Sequence, residues 1–208
     1  MSHYNHIAGQ STERLAALSD GVFAVAMTLL VLDLHLPAAA AVYSEHDLLR
    51  VLWALAPRLL VYMASFLTLG IFWVGQQTQL NYFARTDRDL TWVHLAFLFL
   101  VSLMPFSTAL IGGFLQYRAA LVGYWLNILL LGLRLYISWH VADGHGLVKD
   151  GSPALTRAIE RRVLYSQALY AGGAALCVFD TRYSLGCIIL VQLYYALAPG
   201  FPRGAEPD

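Results

Sequence analysis

Charged residues are scarce in this sequence. Only 12% of its 208 residues are Asp, Glu, Lys or Arg, against about 25% in a typical soluble domain. The 13 basic and 13 acidic residues cancel, so the chain lacks the basic excess that indicates nucleic-acid binding. Hydrophobic residues make up 59% of the chain and occur in several long runs. This composition excludes an ordinary soluble domain and predicts a polytopic membrane protein.

Cysteines are few, and catalytic motifs are missing from the sequence. Cys177 and Cys187 both lie in apolar segments, and we expect them to be buried, reduced and inert, because no histidine stands at metal-ligand spacing from them. The chain contains no HExxH, GxSxG, phosphate-loop or GxGxxG pattern, so nothing indicates an enzyme. The potassium-filter sequence TVGYG is also missing, and a cation channel built on this chain would need another source of selectivity.

The hydrophobic runs define the expected architecture. Residues 1–13 are polar and do not look like a cleavable signal peptide, so we expect the first run to be a retained helix. We predict an all-α membrane protein with one domain, residues 1–208, and six transmembrane helices. These helices should cover residues 13–36, 48–76, 90–111, 118–141, 155–179 and 183–198. Pro57 should kink the second helix or mark its entry into the membrane, and the polar run 76–79 forms the far end of that helix.

The basic residues of the loops predict the orientation, because cytoplasmic loops carry an excess of Lys and Arg. One side would hold the larger set, which is Arg14, Arg85, Arg88, Lys149, Arg157, Arg161, Arg162 and Arg203. The other side would hold Arg50, Arg118 and Arg182. We therefore expect the first side to be cytoplasmic. An even number of helices then places both termini in the cytoplasm.

The first helix carries polar residues that a simple membrane anchor would not need. Polar groups at membrane depth are costly and tend to face protein or water. Asp20 could accept hydrogen bonds from a neighbouring helix or line an ion path, and we favour the structural role. Arg134 of the fourth helix is one candidate partner for it. Asp33 could attract cations to a pore mouth or lie in the headgroup region, and the sequence leaves these two roles open.

An apolar face of the same helix has a second possible role. Val25, Leu29 and Leu32 follow the spacing i, i+4, i+7 and share one helix face, with Thr28 beside them. Copies of this helix around an axis would stack these side chains into rings that exclude water and ions, and Thr28 would be the nearest source of ion-coordinating oxygen. Such stripes more often serve packing, so spacing alone does not establish a pore.

The first helix resembles the signature of a known channel family. Arg14, Leu18, Ser19 and Asp20, followed by the apolar run to Asp33, are similar to the RxxxFSD motif of the endosomal/lysosomal potassium channels of the transmembrane-protein-175 type, in their bacterial branch. Leu18 replaces the usual Phe. The resemblance continues in the second and third helices at Tyr62, Ser65, Phe66, Trp73, Leu103, Pro105, Phe106 and Thr108. Gln76 and Gln77 stand where family members often have histidines.

The resemblance implies a homotetramer of six-helix subunits whose first helices line a central pore. It places the hydrophobic pore constriction at Val25, Leu29 and Leu32 and potassium selectivity at Thr28. It assigns Arg14, Ser19 and Asp20 to a structural motif of inter-helix hydrogen bonds. The implied protein is a passive, potassium-permeable cation channel of the bacterial inner membrane, with lipid and monovalent cations as partners and no nucleic acid. No cofactor, and no metal beyond permeating potassium ions, is expected.

Two other functions remain open from the sequence. A proton-conducting or secondary transport protein would need acids and histidines converging at mid-membrane, often on broken helices. The first helix has no Gly or Pro between Val22 and Leu36, which argues against that class. A non-transporting scaffold would use the polar motif for helix packing only.

Overall fold

The computed structural model describes residues 11–35, 43–149 and 151–197. Helix α1 spans Thr12–Leu29 and continues as a 3₁₀ turn, Leu30–Asp33. The remaining helices are α2 Glu45–Tyr82, α3 Arg88–Ser102, α4 Met104–Gly113, α5 Arg118–Gly144, α6 Pro153–Ala175, which is followed by the 3₁₀ turn Leu176–Val178, and α7 Thr181–Leu197. Because α3 and α4 follow one another along a single segment, the described residues contain the six predicted helical segments in an all-α fold.

Side-chain caps fix the start of four helices. The first backbone N–H groups of a helix have no partner within it, and Ser or Asp at the N-cap supplies an acceptor. The capping residues are Ser11 for α1, Ser44 for α2, Asp87 for α3 and Ser152 for α6. Each accepts a hydrogen bond from the N–H three residues further along, so the boundaries follow from local chemistry.

The third predicted helix, 90–111, is not continuous. It divides at Leu103, and Pro105 lies in the first turn of α4. Proline has no N–H and its ring clashes with the carbonyl four residues earlier, here that of Val101, so a helix tends to restart at this position. The Ser102 hydroxyl donates to the Phe99 carbonyl (2.7 Å) at the end of α3.

Helix α2 is longer than the sequence indicated. It continues past residue 76 to Tyr82, and Pro57 lies within an unbroken helix on an exposed side. The polar run that should have ended it is partly enclosed instead, since Gln76 and Gln79 are buried. Their amide nitrogens donate to Ser19 of α1 and to the Leu135 carbonyl of α5, and these bonds hold this end of α2 against its neighbours.

Four of the helical segments are long and apolar enough to cross a membrane. They are Thr12–Asp33, Glu45–Tyr82, Arg88–Gly113 and Arg118–Gly144. The first half of α6 carries Arg157, Glu160, Arg161 and Arg162, and α7 has 17 described residues. These last two helices pack on each other, α6 also against α5 and α7 also against α2.

A single large apolar core connects the helices. Its buried members include Phe23 of α1, Phe72 of α2, Phe97 of α3, Met104 of α4 and Tyr124 of α5. A second cluster at the end of the bundle where α2 finishes contains Leu15, Leu80, Phe83, Leu90, Trp139 and Leu147. The two clusters hold α1 against α2 and α3 along its buried side.

Hydrogen-bonded polar side chains cross the core. Thr108 donates to Ser65 (2.7 Å), Ser65 donates to Tyr124 (3.3 Å), and Gln192 donates to Thr68 (2.6 Å). Such bonds join helices in an apolar medium, where an unpaired polar group is costly.

Cys177 and Cys187 are free thiols that are only partly buried, so they are less enclosed than predicted.

Candidate ion pathway along helix α1

Helix α1 has one buried side and one exposed side. Phe23, Ala26 and Leu30 are at most 2% exposed and face the core. The predicted constriction residues lie on the other side, where Val25 is 57%, Leu29 43% and Leu32 65% exposed. Within the described subunit these three large apolar side chains are therefore at most partly packed, and much of their surface faces whatever surrounds the subunit.

The 3₁₀ turn at the end of α1 changes the geometry of this face. A 3₁₀ helix has 3.0 residues per turn, so side chains three residues apart are eclipsed. Leu29 stands at the entry to the turn Leu30–Asp33, and Leu32 is three residues further. Leu32 consequently lies above Leu29 along the helix axis, and the apolar stripe is straighter than a continuous α-helix would make it.

Thr28 lies on the exposed side of α1, directly before Leu29 in the chain. Its hydroxyl is within hydrogen-bond distance of two carbonyls of its own helix, Ala24 O (3.1 Å) and Val25 O (2.9 Å). A hydroxyl has one proton to donate and two lone pairs. Since the proton is directed into the helix, the oxygen lone pairs remain available to a cation outside it.

An apolar groove runs along the same side of α1. It has a volume of about 480 Å³ and is open to the surroundings. Its lining residues are Ala17, Leu18, Gly21, Val22, Val25, Ala26, Leu29 and Ser102. Leu18, the residue that departs from the family motif, therefore borders the groove.

Ser19 connects α1 to three other helices. It is fully buried, donates to its own Leu15 carbonyl (2.8 Å) and accepts from Gln76 Nε2 of α2 (2.7 Å). The same Gln76 nitrogen lies 3.3 Å from His94 Nδ1 of α3, and His94 Nε2 lies 3.0 Å from the Ser138 hydroxyl of α5. A row of polar side chains thus crosses from the first helix through the bundle.

Asp20, next along α1, bonds to α2 as well. Its Oδ1 accepts from Trp73 Nε1 (2.8 Å) and from Gln77 Nε2 (2.7 Å). The suggested pairing with Arg134 is wrong, because α5 does not present that side chain to Asp20 and α2 supplies both donors. The carboxylate thus bonds to a neighbouring helix, as the predicted structural role requires, and that role stays a prediction.

The remaining predicted site residues lie at the two ends of α1. Arg14 is exposed, and its guanidinium has no hydrogen bond or ion pair to any described residue, so its structural role stays a prediction. Asp33 is partly buried, and its Oδ2 lies 3.3 Å from the position that a Cβ at Gly112 of α4 would take. No group of three potential metal ligands occurs among the described residues.

Sequence reasoning did not identify the partners that Ser19 and Asp20 have in the structure. Ser19 and Asp20 are neighbours on α1, and the two glutamines that donate to them are neighbours on α2. Gln76 donates to Ser19, and Gln77 donates to Asp20. Adjacent amides in an otherwise apolar membrane segment were the available signal, since such groups need partners within the protein. His94, which lies in the same row of polar side chains, is buried and hydrogen-bonded to Gln76 and Ser138.

The fold and the exposed apolar side of α1 define a multi-helix membrane protein. A family model described as endosomal/lysosomal potassium channel TMEM175 matches residues 14–105. A potassium channel of Chamaesiphon minutus is 31% identical over 192 residues, covering 89% of this chain and 94% of the relative. A potassium channel of Streptomyces collinus is 32% identical over 188 residues, covering 88% and 90% respectively.

A solved structure is similar over nearly the same length. The crystal structure of a lysosomal potassium-selective channel TMEM175 homolog from Chamaesiphon minutus has a TM-score of 0.77 with 30% sequence identity. It covers 89% of this chain and 96% of that chain. This chain belongs to the TMEM175 channel family.

Proposed function

We propose that this chain forms a homotetrameric, potassium-permeable cation channel in a bacterial inner membrane. The observation that carries the proposal is the exposed apolar stripe of α1, in a chain that matches bacterial potassium channels along almost their whole length. Conduction is passive, with potassium as the permeating ion, and needs neither a cofactor nor an enzymatic step.

Assembly of four copies gives the exposed stripe its role. Closed cyclic symmetry places the same side of each subunit around one axis. The groove beside Leu18, Gly21 and Val22 would accept apolar side chains of a neighbouring copy. Val25, Leu29 and Leu32 would then point toward the axis. Lipid surrounds the outer helices.

The constriction works by excluding water. A narrow ring of apolar side chains disfavours hydrated ions, because an ion cannot lose its hydration shell without replacement ligands. Leu29 and Leu32, stacked by the 3₁₀ turn, form two such rings in succession. Conduction therefore requires a state in which these rings are wider or wetted.

Selectivity in this proposal comes from Thr28. Four hydroxyl oxygens, one from each subunit, are the nearest polar groups to the leucine rings. Each hydroxyl donates its proton to a carbonyl of its own helix, which leaves the oxygen directed at the pore. With so few oxygen ligands, the preference for potassium over sodium should be modest.

The hydrogen bonds of Ser19 and Asp20 set the rotation of α1. They hold its polar side against α2, and this keeps the apolar stripe directed away from the subunit. In this proposal both chain termini lie in the cytoplasm, because that side is richer in basic loop residues.

Potassium flux through purified protein in liposomes tests the proposal. We expect flux that follows the potassium gradient, does not saturate at low concentration and does not depend on a proton gradient, from particles whose mass corresponds to four chains. Saturable flux coupled to protons would instead support a secondary transporter, and the absence of any flux from intact tetramers would support a scaffold.

A further inference from the structure

An open pocket of about 490 Å³ lies at the end of the bundle where α5 and α7 begin. The turn between α4 and α5 forms one wall, and the turn between α6 and α7 forms the other. Arg118 Nη2 donates to the Val178 carbonyl across the pocket (2.9 Å). The Thr181 hydroxyl donates to the Leu115 carbonyl in the same way. These two bonds hold the walls of the pocket together within one subunit.

Two arginines line this pocket. Arg118 and Arg182 are both exposed, so a ligand outside the protein can reach them. A guanidinium has five N–H donors, and the bond to Val178 leaves most of those of Arg118 unused. The Arg182 guanidinium makes no hydrogen bond or ion pair to any described residue. The pocket therefore presents many unused donors to a ligand.

The same pocket contains an acid that does not neutralise the arginines. Asp180 lines the pocket, and its Oδ1 accepts from the backbone N–H of Arg182 (2.8 Å), which caps the start of α7. Within the described residues its carboxylate forms no ion pair with either guanidinium. Two arginines and one aspartate give the lining a formal charge of +1. No side chain caps the start of α5, so its free N–H groups add partial positive charge.

The position of the two arginines along the chain is unusual for a membrane protein. In the predicted orientation only three arginines, Arg50, Arg118 and Arg182, lie in the loops on the side opposite the cytoplasm. Basic residues are disfavoured on that side. Two of the three nevertheless line one pocket, which indicates a local need for positive charge.

Exposed aromatic side chains surround the pocket. They are between 52% and 80% exposed, and they are Phe114, Tyr117, Phe179 and Tyr183. Aromatic residues at helix ends are typical of the membrane–water interface, where the lipid headgroups lie. The pocket is therefore at headgroup depth.

An exposed apolar track follows each arginine toward the middle of the membrane. On α5, Val122 and Leu126 stand four and eight residues after Arg118 and are 44% and 45% exposed. On α7, Leu190 stands eight residues after Arg182 and is 68% exposed. Residues four apart lie on the same side of a helix. Each arginine is thus the polar end of a surface that lipid chains can cover.

These features together select the chemistry of the ligand. Guanidinium groups bind phosphate oxygens through parallel, charge-assisted hydrogen bonds. A free phosphate would use the arginines but not the apolar tracks, and a hydrocarbon would use the tracks but not the arginines. A phospholipid uses both, and one with a net negative charge also matches the charge of the lining.

We propose that this pocket binds the headgroup of an anionic phospholipid of the outer leaflet. Its phosphate lies between Arg118 and Arg182, and its acyl chains follow the tracks on α5 and α7. No residue of α1 lines the pocket, so lipid binding does not depend on ion conduction.

Native mass spectrometry of the full-length, assembled protein tests the site. The probes are phosphatidylglycerol and phosphatidylethanolamine with identical acyl chains. We expect phosphatidylglycerol to bind several-fold more tightly, because only this lipid has a net charge opposite to that of the lining. Inorganic phosphate at equal concentration should not displace it. Equal binding of the two lipids, or displacement by inorganic phosphate, would overturn the proposal.

Neutral substitutions of the arginines locate the binding. Arg118→Gln and Arg182→Gln should each weaken phosphatidylglycerol binding about tenfold, because each removes charge-assisted hydrogen bonds to the phosphate. Arg50→Gln is the matched control, since Arg50 is exposed on the same predicted side but does not line the pocket. Its affinity should stay at the parent value. A common affinity for all three variants would mean that the lipid binds elsewhere.

A change at Asp180 gives an effect in the opposite direction and keeps the helix cap. Asn caps a helix as well as Asp does, so Asp180→Asn should fold like the parent protein. It raises the formal charge of the lining from +1 to +2. Phosphatidylglycerol should then bind several-fold more tightly, an effect that purely structural roles for these side chains would not produce. Unchanged or weaker binding in Asp180→Asn would contradict the assignment of this pocket.

Discussion

At the residue scale, the proposed role of Thr28 in selectivity can be isolated by a shape-preserving substitution. Thr28→Val removes the hydroxyl oxygen but keeps the branched side chain. We expect the preference for potassium over sodium to fall several-fold, because the pore loses its nearest ring of oxygen ligands. The reversal potential with potassium on one side and sodium on the other measures this preference.

A conservative change at the same position provides the control. Thr28→Ser keeps the hydroxyl and its bonds to Ala24 and Val25, so it should retain the selectivity of the parent protein. If Thr28→Val and Thr28→Ser share the parent's reversal potential, the selectivity lies elsewhere.

Asp20 can be tested by separating its charge from its hydrogen bonds. Asp20→Asn keeps an Oδ1 that can accept from Trp73 and Gln77, whereas Asp20→Ala leaves both donors without that acceptor. We expect Asp20→Ala to destabilise the protein by about 1–3 kcal/mol and Asp20→Asn to remain assembled and conducting. Thermal unfolding in detergent and potassium flux measure the two effects.

The opposite pattern would assign Asp20 to the ion path. A stable, tetrameric Asp20→Asn protein that no longer conducts would mean that the negative charge itself is required. The bonds to α2 would then be secondary.

The sequence predicted which side of α1 a residue lies on better than it predicted which residue of another helix it contacts. The apolar i, i+4, i+7 spacing placed Val25 and Leu29 on one side of α1, because helix geometry is local. The partners of Asp20 depend on how α1 lies against α2, which local pattern does not contain. Arg134 was an electrostatically reasonable partner, but two neutral donors, Trp73 and Gln77, occupy that position.

At the scale of elements, α1 combines a buried and an exposed side. Shortening a leucine on the exposed side should change the potassium current, whereas shortening one on the buried side should change the stability. Leu29→Ala and Leu32→Ala shorten exposed side chains of the stripe, so they should raise potassium current by widening the proposed rings while leaving the fold intact. Single-channel or macroscopic recordings in bilayers measure the current.

Leu30 is the matched control, since it lies between these two residues and is 1% exposed. Leu30→Ala should cost about 2–5 kcal/mol of stability, as for other buried leucines, without raising the current per assembled channel. Equal currents in the Leu29, Leu30 and Leu32 variants would contradict the assignment of the exposed side to the pore.

The elements themselves were largely predictable because apolar runs of membrane length are a strong signal. Their breaks were not. Pro105 restarts the helix as α4, but Pro57 lies inside α2 without interrupting it, so proline alone does not locate an end. The polar run 76–79 looked like a terminus because its partners on α1, α3 and α5 were unknown.

At the scale of the whole molecule, one subunit leaves the apolar stripe of α1 largely uncovered. Nothing in the spacing of Val25, Leu29 and Leu32 distinguishes packing inside a subunit from packing around an axis. The fold removes the first alternative, because Phe23, Ala26 and Leu30 already fill the core side of α1. Only assembly with further copies can give the stripe a protein or pore environment.

Thiol modification of a reconstituted channel tests most directly whether this stripe lines an ion pathway. The parent carries Cys177→Ala and Cys187→Ala, and Leu29→Cys or Leu30→Cys is added to it. We predict that a charged, water-soluble thiol reagent blocks the potassium current of Leu29→Cys and leaves that of Leu30→Cys unchanged. A full current in Leu29→Cys after complete modification of the thiol would contradict the pore assignment.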